Sequence, residues 1–538
     1  IRYKRYRDAT MVKADKTTGT FTWFSDIHYD PFYGEAAPLT ARSATKRLHS
    51  LESYPPSTYE PEIECANATS LLGIEGCDSP FDLVHSCITA AAESVRDNEF
   101  VLVTGDFVHH GFANNVDEKA ELKRDDPIVE SFENILSEVA NLLRIEYPEP
   151  IPILPALGNN DCLPDYFLDE EDKNNVVLDT ATDAFRHLLT SPSSNTDTDT
   201  NIMLTMFRQG GYYANEIFKP NQNGSKKPGL TILVLNTIIY SRNNKPDQTN
   251  IPDPYNQFKW LKLSLATARR KNVKIYVMGH IPPTVGSYRN NQMWHKRYLD
   301  RYLHLIHDYN DVVVAQLFGH LHSDEFRVLS ESSSLSDGSF PLPPLLIAPS
   351  VTPKFGNGSP SFRVVTFDRS NFKILDYETR FLDIRDNASI QTPLRWQVLD
   401  SFQKTYGVPD ISLTSLLDVV RRITTVHETL DTFFSRMYVN SKNSLDKECN
   451  QMCRIKLKCT LRSSAKLGYD DCVARLTSSK EVYTVLIVSV LFALIFTCFT
   501  VRCFYKRSQR TDNESTNLAD DDTTETEDYE IRSIPPID

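Results

Sequence analysis

The chain has 538 residues, 40% of them apolar and 24% charged, with 58 Lys+Arg against 71 Asp+Glu and a formal net charge of −13. That composition is globular and excludes wholesale disorder, a collagen-like rod and a polytopic membrane protein. An acidic chain is also a poor sequence-independent binder of nucleic acid, which rests on basic surface, so no nucleic-acid partner is expected. Ile1 stands where a start Met would, so the true N-terminus is expected upstream, and any leader with it.

Residues 1–19 are polar and basic and read as a lead-in. From 20 to 385, short apolar runs alternate with helical or loop stretches. The runs are Phe21-Thr-Trp-Phe, Phe100-Val-Leu-Val, Pro152-Ile-Leu-Pro-Ala-Leu, Leu230-Thr-Ile-Leu-Val-Leu, Val273-Lys-Ile-Tyr-Val-Met and Val312-Val-Val-Ala-Gln-Leu-Phe, followed by Leu345-Leu-Ile-Ala and Phe362-Arg-Val-Val-Thr-Phe. Such runs, nearly continuous and separated by helical intervals, predict an α/β layered sheet domain. Ser191–Thr200 and Ser330–Ser339 read as exposed loops. Residues 386–480 turn helical, with Leu413, Leu416, Leu417, Val420 and Ile423 at helical spacing, and are expected to form a separate C-terminal cap holding four cysteines.

Val482–Val501 is 20 residues without a charge. As a helix it is about 30 Å long, the thickness of a bilayer core, and one transmembrane helix is expected there. Arg502, Lys506, Arg507 and Arg510 follow, which makes that side cytosolic. Everything before the span is then lumenal or extracellular, in the secretory pathway, a vacuole or lysosome, or at the cell surface. Residues 502–538 form an acidic, disordered cytosolic tail. Cys65, Cys77, Cys87, Cys162, Cys449, Cys453, Cys459 and Cys472 fall on the oxidising side, so disulfides are preferred there over a zinc cluster. Sequons at Asn67, Asn223, Asn357 and Asn387 agree with that topology.

Five of the apolar runs end in potential metal ligands. The first ends in Asp26-Ile-His28, the second in Gly105-Asp106, and the third in Gly158-Asn159-Asn160-Asp161. The fifth ends in Gly279-His280 and the sixth in Gly319-His320-Leu-His322. Sites in open α/β sheets lie beyond the carboxyl ends of the strands, and in four of the five groups a glycine before the ligand lets the backbone turn there. Five strands would thus bring oxygen and nitrogen donors to one place, a set that suits Zn²⁺, Mn²⁺ or Fe rather than Ca²⁺ or Mg²⁺.

That ordered set resembles the calcineurin-like metallophosphoesterase superfamily. The resemblance implies a four-layer β-sandwich flanked by helices and two divalent metal ions, Zn first, with Mn or Fe as options. Asp26, His28 and His322 would hold one metal, Asn159, His280 and His320 the other, and Asp106 would bridge them. Two such ions, about 3.5–4 Å apart, would acidify a bridging water and clamp phosphoryl oxygens, so that metal-bound hydroxide attacks a phosphodiester or phosphoanhydride.

Phe24-Ser-Asp-Ile-His-Tyr-Asp-Pro-Phe-Tyr33, Gly76-Cys-Asp-Ser-Pro80, Gly210-Gly-Tyr-Tyr213, Gln257-Phe-Lys-Trp-Leu261 and Ala348-Pro-Ser-Val-Thr-Pro353 are similar to the acid sphingomyelinase-like phosphodiesterases. By that analogy Cys65 pairs with Cys77, Cys449 with Cys453 and Cys459 with Cys472, leaving Cys87 and Cys162 as a fourth pair. The superfamily's Gly-Asn-His-Asp is Gly158-Asn159-Asn160-Asp161 here. Asn160 can donate a hydrogen bond to a phosphoryl oxygen but cannot deliver a proton. His110, four residues after Asp106 where the sphingomyelinase-like group places a catalytic His, is therefore the candidate general acid. Asp161 is expected to orient His110 or a ligand.

The Gly-Asn-Asn-Asp variant and Gly279-His-Ile-Pro-Pro-Thr284 also resemble the vacuolar endopolyphosphatases, with Arg269-Arg-Lys271 and Lys296-Arg297 as candidate phosphate partners. The substrate is expected to be a small phosphate compound: a nucleotide, polyphosphate or phospholipid head group. Two alternatives stand beside a phosphodiesterase: an endopolyphosphatase, and a catalytically dead receptor or adhesion ectodomain.

Overall fold

The computed structural model describes residues 17–34 and 63–477, apart from 115, 119, 172–174, 191–196, 221–226, 333–338, 356–357, 386–393 and 440–448, together with Thr497 and Arg502. The chain divides into two compact units, Ile1–Val473 and Ala474–Asp538. Apart from Thr497 and Arg502, the expected span at 482–501 and the tail lie outside the described residues, as do the sequons at 223, 357 and 387, and among the described residues no helix is long and apolar enough to cross a membrane.

The first unit is built on two six-stranded sheets. Its strands are β1 (Thr18–Phe24), β2 (Asn98–Val103), β3 (Ile153–Pro155), β4 (Tyr213–Phe218), β5 (Gly229–Val234), β6 (Val273–Met278), β7 (Val313–Phe318), β8 (Glu325–Arg327), β9 (Leu345–Ile347), β10 (Ser361–Asp368), β11 (Ile374–Phe381) and β12 (Gln397–Val398). One sheet runs β12-β11-β10-β1-β2-β3 and the other β4-β5-β6-β7-β9-β8. β1, β2 and β3 are parallel, as are β5, β6, β7 and β9. All five ligand-bearing turns therefore leave carboxyl ends of parallel strands.

Burial explains the apolar runs. Phe21, Trp23 and Phe24 on β1, Phe100–Val103 on β2 and Tyr276–Met278 on β6 are all buried. Phe21 meets Tyr276 across the two sheets, with ring centroids 6.0 Å apart. Strands buried on both faces cannot alternate with polar residues, which is why they read as continuous runs. Helices Phe81–Ser94, Pro127–Glu146, Gln257–Lys271 and Lys296–Asp308 connect the strands. The C-terminal helices at Phe402–Tyr406, Leu413–Thr425 and His427–Met437 bury Phe402, Leu416, Val420, Ile423 and Phe433 in the same core.

Among the described residues three disulfides join Cys65–Cys77, Cys449–Cys453 and Cys459–Cys472. The expected fourth pair does not form: Cys87 and Cys162 are free thiols. Each is fully buried in the main core, where a free cysteine packs as a small apolar side chain. The expected loop at Ser191–Thr200 is also corrected, since helix Asp197–Gly210 begins inside it.

Candidate metal centre

The ligand residues sit in an unusual backbone. Asp26, His28, Asp106, His320 and His322 have φ of 51°, 45°, 58°, 71° and 52°, five of the twelve non-glycine residues with positive φ among those described. Left-handed backbone in an L-residue costs about 1–2 kcal/mol, and such strain gathers at functional sites. The glycines before them act differently from expectation. Only Gly105 has positive φ itself; at Gly158, Gly279 and Gly319 the missing side chain is what matters. A Cβ on Gly158 would lie 2.1 Å from Asp106 Oδ1, and one on Gly319 would lie 1.9 Å from Ser25 Oγ and 2.9 Å from Asp26 Oδ2. The ligand takes the turn, and the glycine lets a neighbouring turn approach.

These turns bring all seven expected metal ligands together. One ligand atom each from Asp26, His28 and Asp106 lie within 4.8 Å of one another, as do atoms from Asp106, His280 and His320, so the two triads share Asp106. His322 Nε2 lies 3.3 Å from Asp26 Oδ1, and Asn159 Oδ1 lies 3.1 Å from His280 Nε2.

The proton positions test whether a cation fits. His28 Nδ1 is 2.9 Å from the Val108 carbonyl and His280 Nδ1 is 2.7 Å from the Thr104 carbonyl. A carbonyl only accepts, so each Nδ1 carries the hydrogen and each neutral ring turns a lone pair outward at Nε2. Both lone pairs face the Asp106 carboxylate, at 3.3 and 3.2 Å. His28 Nε2 and His322 Nδ1 are buried without a hydrogen-bond partner. His280 Nε2 also faces His320 Nδ1 at 3.2 Å. Imidazole, carboxylate and amide lone pairs converging with no hydrogens between them are the donor set of a transition-metal or zinc site, with the backbone carbonyls fixing the rings. With no cation, a proton must separate the charges. Burial presses His280 down, but the Asp106 carboxylate outweighs it and lifts the ring to about 9. Burial and His280 together push His320 down to about 3.

The residues expected to act beside the metals divide. Asp161 does not touch His110. Its carboxylate accepts backbone N–H groups from Asp106 (2.9 Å), Phe107 (2.8 Å), Val108 (3.1 Å) and Gly158 (2.8 Å), so it fixes the turn that carries Asp106. Burial and the Asp106 charge push Asp161 up to about 7. The partner of His110 is Asp78, which accepts from its Nδ1 and its backbone N–H, both at 2.9 Å. Burial lowers His110, yet Asp78 outweighs it and holds the ring above the usual histidine range. His110 stacks on His28 with centroids 3.9 Å apart. Asp78 lies 32 residues from His110, and the only sequence signal for it was its place in the Gly76-Cys-Asp-Ser-Pro80 segment.

Asn160 fixes its neighbour. Its Oδ1 accepts from Asn159 Nδ2 at 2.8 Å, and Asp165 accepts from the same amide at 3.1 Å, which turns Asn159 Oδ1 toward His280. A cavity of about 370 Å³ opens over the site, lined by Asp106, His110, Asn159, Asn160, His320 and His322 and walled by Tyr288, Arg289, Phe355 and Tyr438. The candidate phosphate-binding cations are elsewhere. Arg269 pairs with Asp311 and Lys296 with Asp300 on the surface, and neither lines the cavity. Arg289, which the sequence did not single out, does.

Residues 19–324 match the family model described as Calcineurin-like phosphoesterase, and residues 340–479 match that described as Acid sphingomyelin phosphodiesterase C-terminal region. Acid sphingomyelinase-like phosphodiesterase 3b of Mus musculus is 28% identical over 486 residues, covering 88% of this chain and 94% of its own. Sphingomyelinase phosphodiesterase C of Dictyostelium discoideum is 24% identical over 466 residues, covering 85% and 93%. Cyclic GMP-AMP phosphodiesterase SMPDL3A of Homo sapiens is 25% identical over 467 residues, covering 85% and 90%.

Proposed function

The chain belongs to the calcineurin-like phosphoesterases and is a phosphodiesterase hydrolase, and from that premise we propose a dinuclear enzyme that hydrolyses small phosphodiester substrates on the lumenal or extracellular side of a membrane. The observation that carries the reading is the pair of ligand triads sharing Asp106. Asp26, His28, Asp106 and His322 would hold one divalent cation, and Asp106, Asn159, His280 and His320 the other. When bound, the pair supplies Lewis acidity toward the phosphoryl group and activates water.

The chain's own residues supply the rest. His110 donates a proton to the leaving oxygen, and Asp78 holds the ring by accepting from Nδ1–H. Asn160 has its carbonyl oxygen occupied by Asn159, which leaves its NH₂ to donate to a phosphoryl oxygen. Asp161 keeps the Asp106 turn in place through four backbone amides. The relatives' substrates, sphingomyelin and cyclic GMP-AMP by name, both carry phosphodiesters, and that bond is the substrate class proposed here. The placement relative to the membrane rests on the apolar run Val482–Val501 with its basic flank, and the three disulfides suit an oxidising compartment.

The test is turnover by the purified full chain on cyclic dinucleotides, nucleoside di- and triphosphates, polyphosphate and sphingomyelin, with metal content measured in parallel. Two metals and metal-dependent hydrolysis of a phosphodiester are expected, lost in His320→Ala. Cleavage of polyphosphate alone would make it an endopolyphosphatase, and bound metal with no turnover a catalytically dead ectodomain.

A further inference from the structure

Asp324 stands two residues beyond His322 and is 1% exposed. Its carboxylate accepts from Arg363 Nη2 at 2.5 Å, the Tyr377 hydroxyl at 2.9 Å and the Thr379 hydroxyl at 2.5 Å, and Arg436 Nη2 lies 3.5 Å away. Its backbone N–H donates to the Met437 carbonyl at 3.0 Å. Arg363 comes from β10, and Tyr377 and Thr379 from β11, all in the sheet opposite the one that carries His322. Arg436 comes from the C-terminal helix His427–Met437 and donates to the Asp400 carbonyl and the Thr405 hydroxyl. One buried carboxylate thus joins the end of a ligand turn to the other sheet and to the C-terminal helices.

A carboxylate in such a place is costly unless its partners are all present, so the arrangement tolerates little movement. The turn it holds has few other ties. Gly319 N–H reaches the His280 carbonyl, Leu321 N–H reaches Gly319, and His320 N–H reaches Asp26. Beyond His322, Ser323 Oγ donates to the Leu321 carbonyl at 3.1 Å and to the Glu325 carboxylate, both close in sequence, and Asp324 is the tie that reaches the opposite sheet.

We propose that Asp324, clamped by Arg363 and Arg436, is a positioning residue that holds the Gly319–Ser323 turn so that His322 keeps its ligand geometry, which makes the C-terminal helices part of the site's metal affinity. The inference rests on the ligand assignment proposed above, and the experiment separates the two. Full-length wild type, Asp324→Asn, Arg436→Met, Arg436→Lys and Tyr377→Phe are titrated with a chelator, bound metal is measured by atomic emission, and folding is checked by circular dichroism. In Asp324→Asn one of two metals is expected to leave at about tenfold lower chelator, the scale of a support residue for a ligand, while the other leaves near the wild-type point. Arg436→Met is expected to behave likewise and Arg436→Lys to recover part of the loss. Tyr377→Phe, which removes one hydrogen bond and keeps the charges, gives a smaller shift in the same direction if Asp324→Asn does not fold. Wild-type midpoints in every folded variant would overturn the inference alone. A wild-type chain that binds no metal would overturn the ligand assignment and the inference with it.

Discussion

β1, β2 and β3 deliver Asp26, His28, Asp106 and Asn159 through turns that bond to one another: Asp26 N–H to Gly105, His28 N–H to Asp106, and four amides to the Asp161 carboxylate. β6 and β7 deliver His280, His320 and His322 through turns with fewer mutual ties, and the β7 turn leans on a carboxylate anchored in the opposite sheet and the C-terminal helices. The first sheet also carries the candidate acid, since His110 follows β2. One half of the site is thus locally knit and holds the proton chemistry, while the other contributes ligands whose geometry is borrowed. Local loops tolerate distant change, and borrowed geometry does not.

Asp106→Asn tests the comparison at its centre, because Asp106 is the one residue common to both triads. Hydrolysis of a generic phosphodiester falls to background, and metal content falls with it, by turnover and atomic emission. Activity in this variant would break the idea of two coupled halves.

Asp78→Asn tests the proton chemistry of the first half. Without its oriented acid the enzyme loses about 10²-fold or more in kcat on a substrate with a poor leaving group. The sign of the pH effect follows from His110. A general acid must be protonated, so the rate falls as pH rises through its folded pKa, which Asp78 holds above the ordinary value. Removing that charge moves the alkaline limb of the pH–kcat profile toward acid. An unmoved limb assigns the proton to another group.

Gly158→Ala and Gly319→Ala probe each half by crowding it. Both added carbons would sit about 2 Å from a fixed neighbour, Asp106 Oδ1 or Ser25 Oγ, and each variant is expected to lose about 1–3 kcal/mol, read by denaturant unfolding. If the halves differ as described, Gly319→Ala loses more metal affinity per unit of lost stability. At the small end, Lys296→Ala leaves the KM for polyphosphate unchanged and shifts stability by less than about 0.5 kcal/mol, because Lys296 is exposed and pairs with Asp300 on the surface.

The ligand turns were legible because the chemistry constrains residue type where buried strands end, and buried strands announce themselves as apolar runs. Asp78 and Asp324 were not legible as partners. Their roles depend on contacts 32, 39 and 112 residues away, to His110, Arg363 and Arg436, and no local pattern encodes these. The Cys87–Cys162 pairing failed because counting cysteines assigns by elimination, whereas a thiol inside a packed core needs no partner. In the basic runs at 269–271 and 296–297 sequence shows the charge but not its partner: Arg269 meets Asp311 and Lys296 meets Asp300 on the surface.

The left-handed ligand residues also set what can replace them. Asp26, His28, Asp106, His320 and His322 each hold a conformation that glycine would adopt at less cost. Glycine there would relax the backbone, but it would remove the Asp26 oxygens that accept the His320 N–H, the Asp106 oxygen that accepts the Asn160 N–H, and the His28 ring nitrogen that meets the Val108 carbonyl. Aspartate and histidine at these turns thus exchange backbone ease for side-chain bonds, so a substitution at any of them changes folding stability and ligand supply at once.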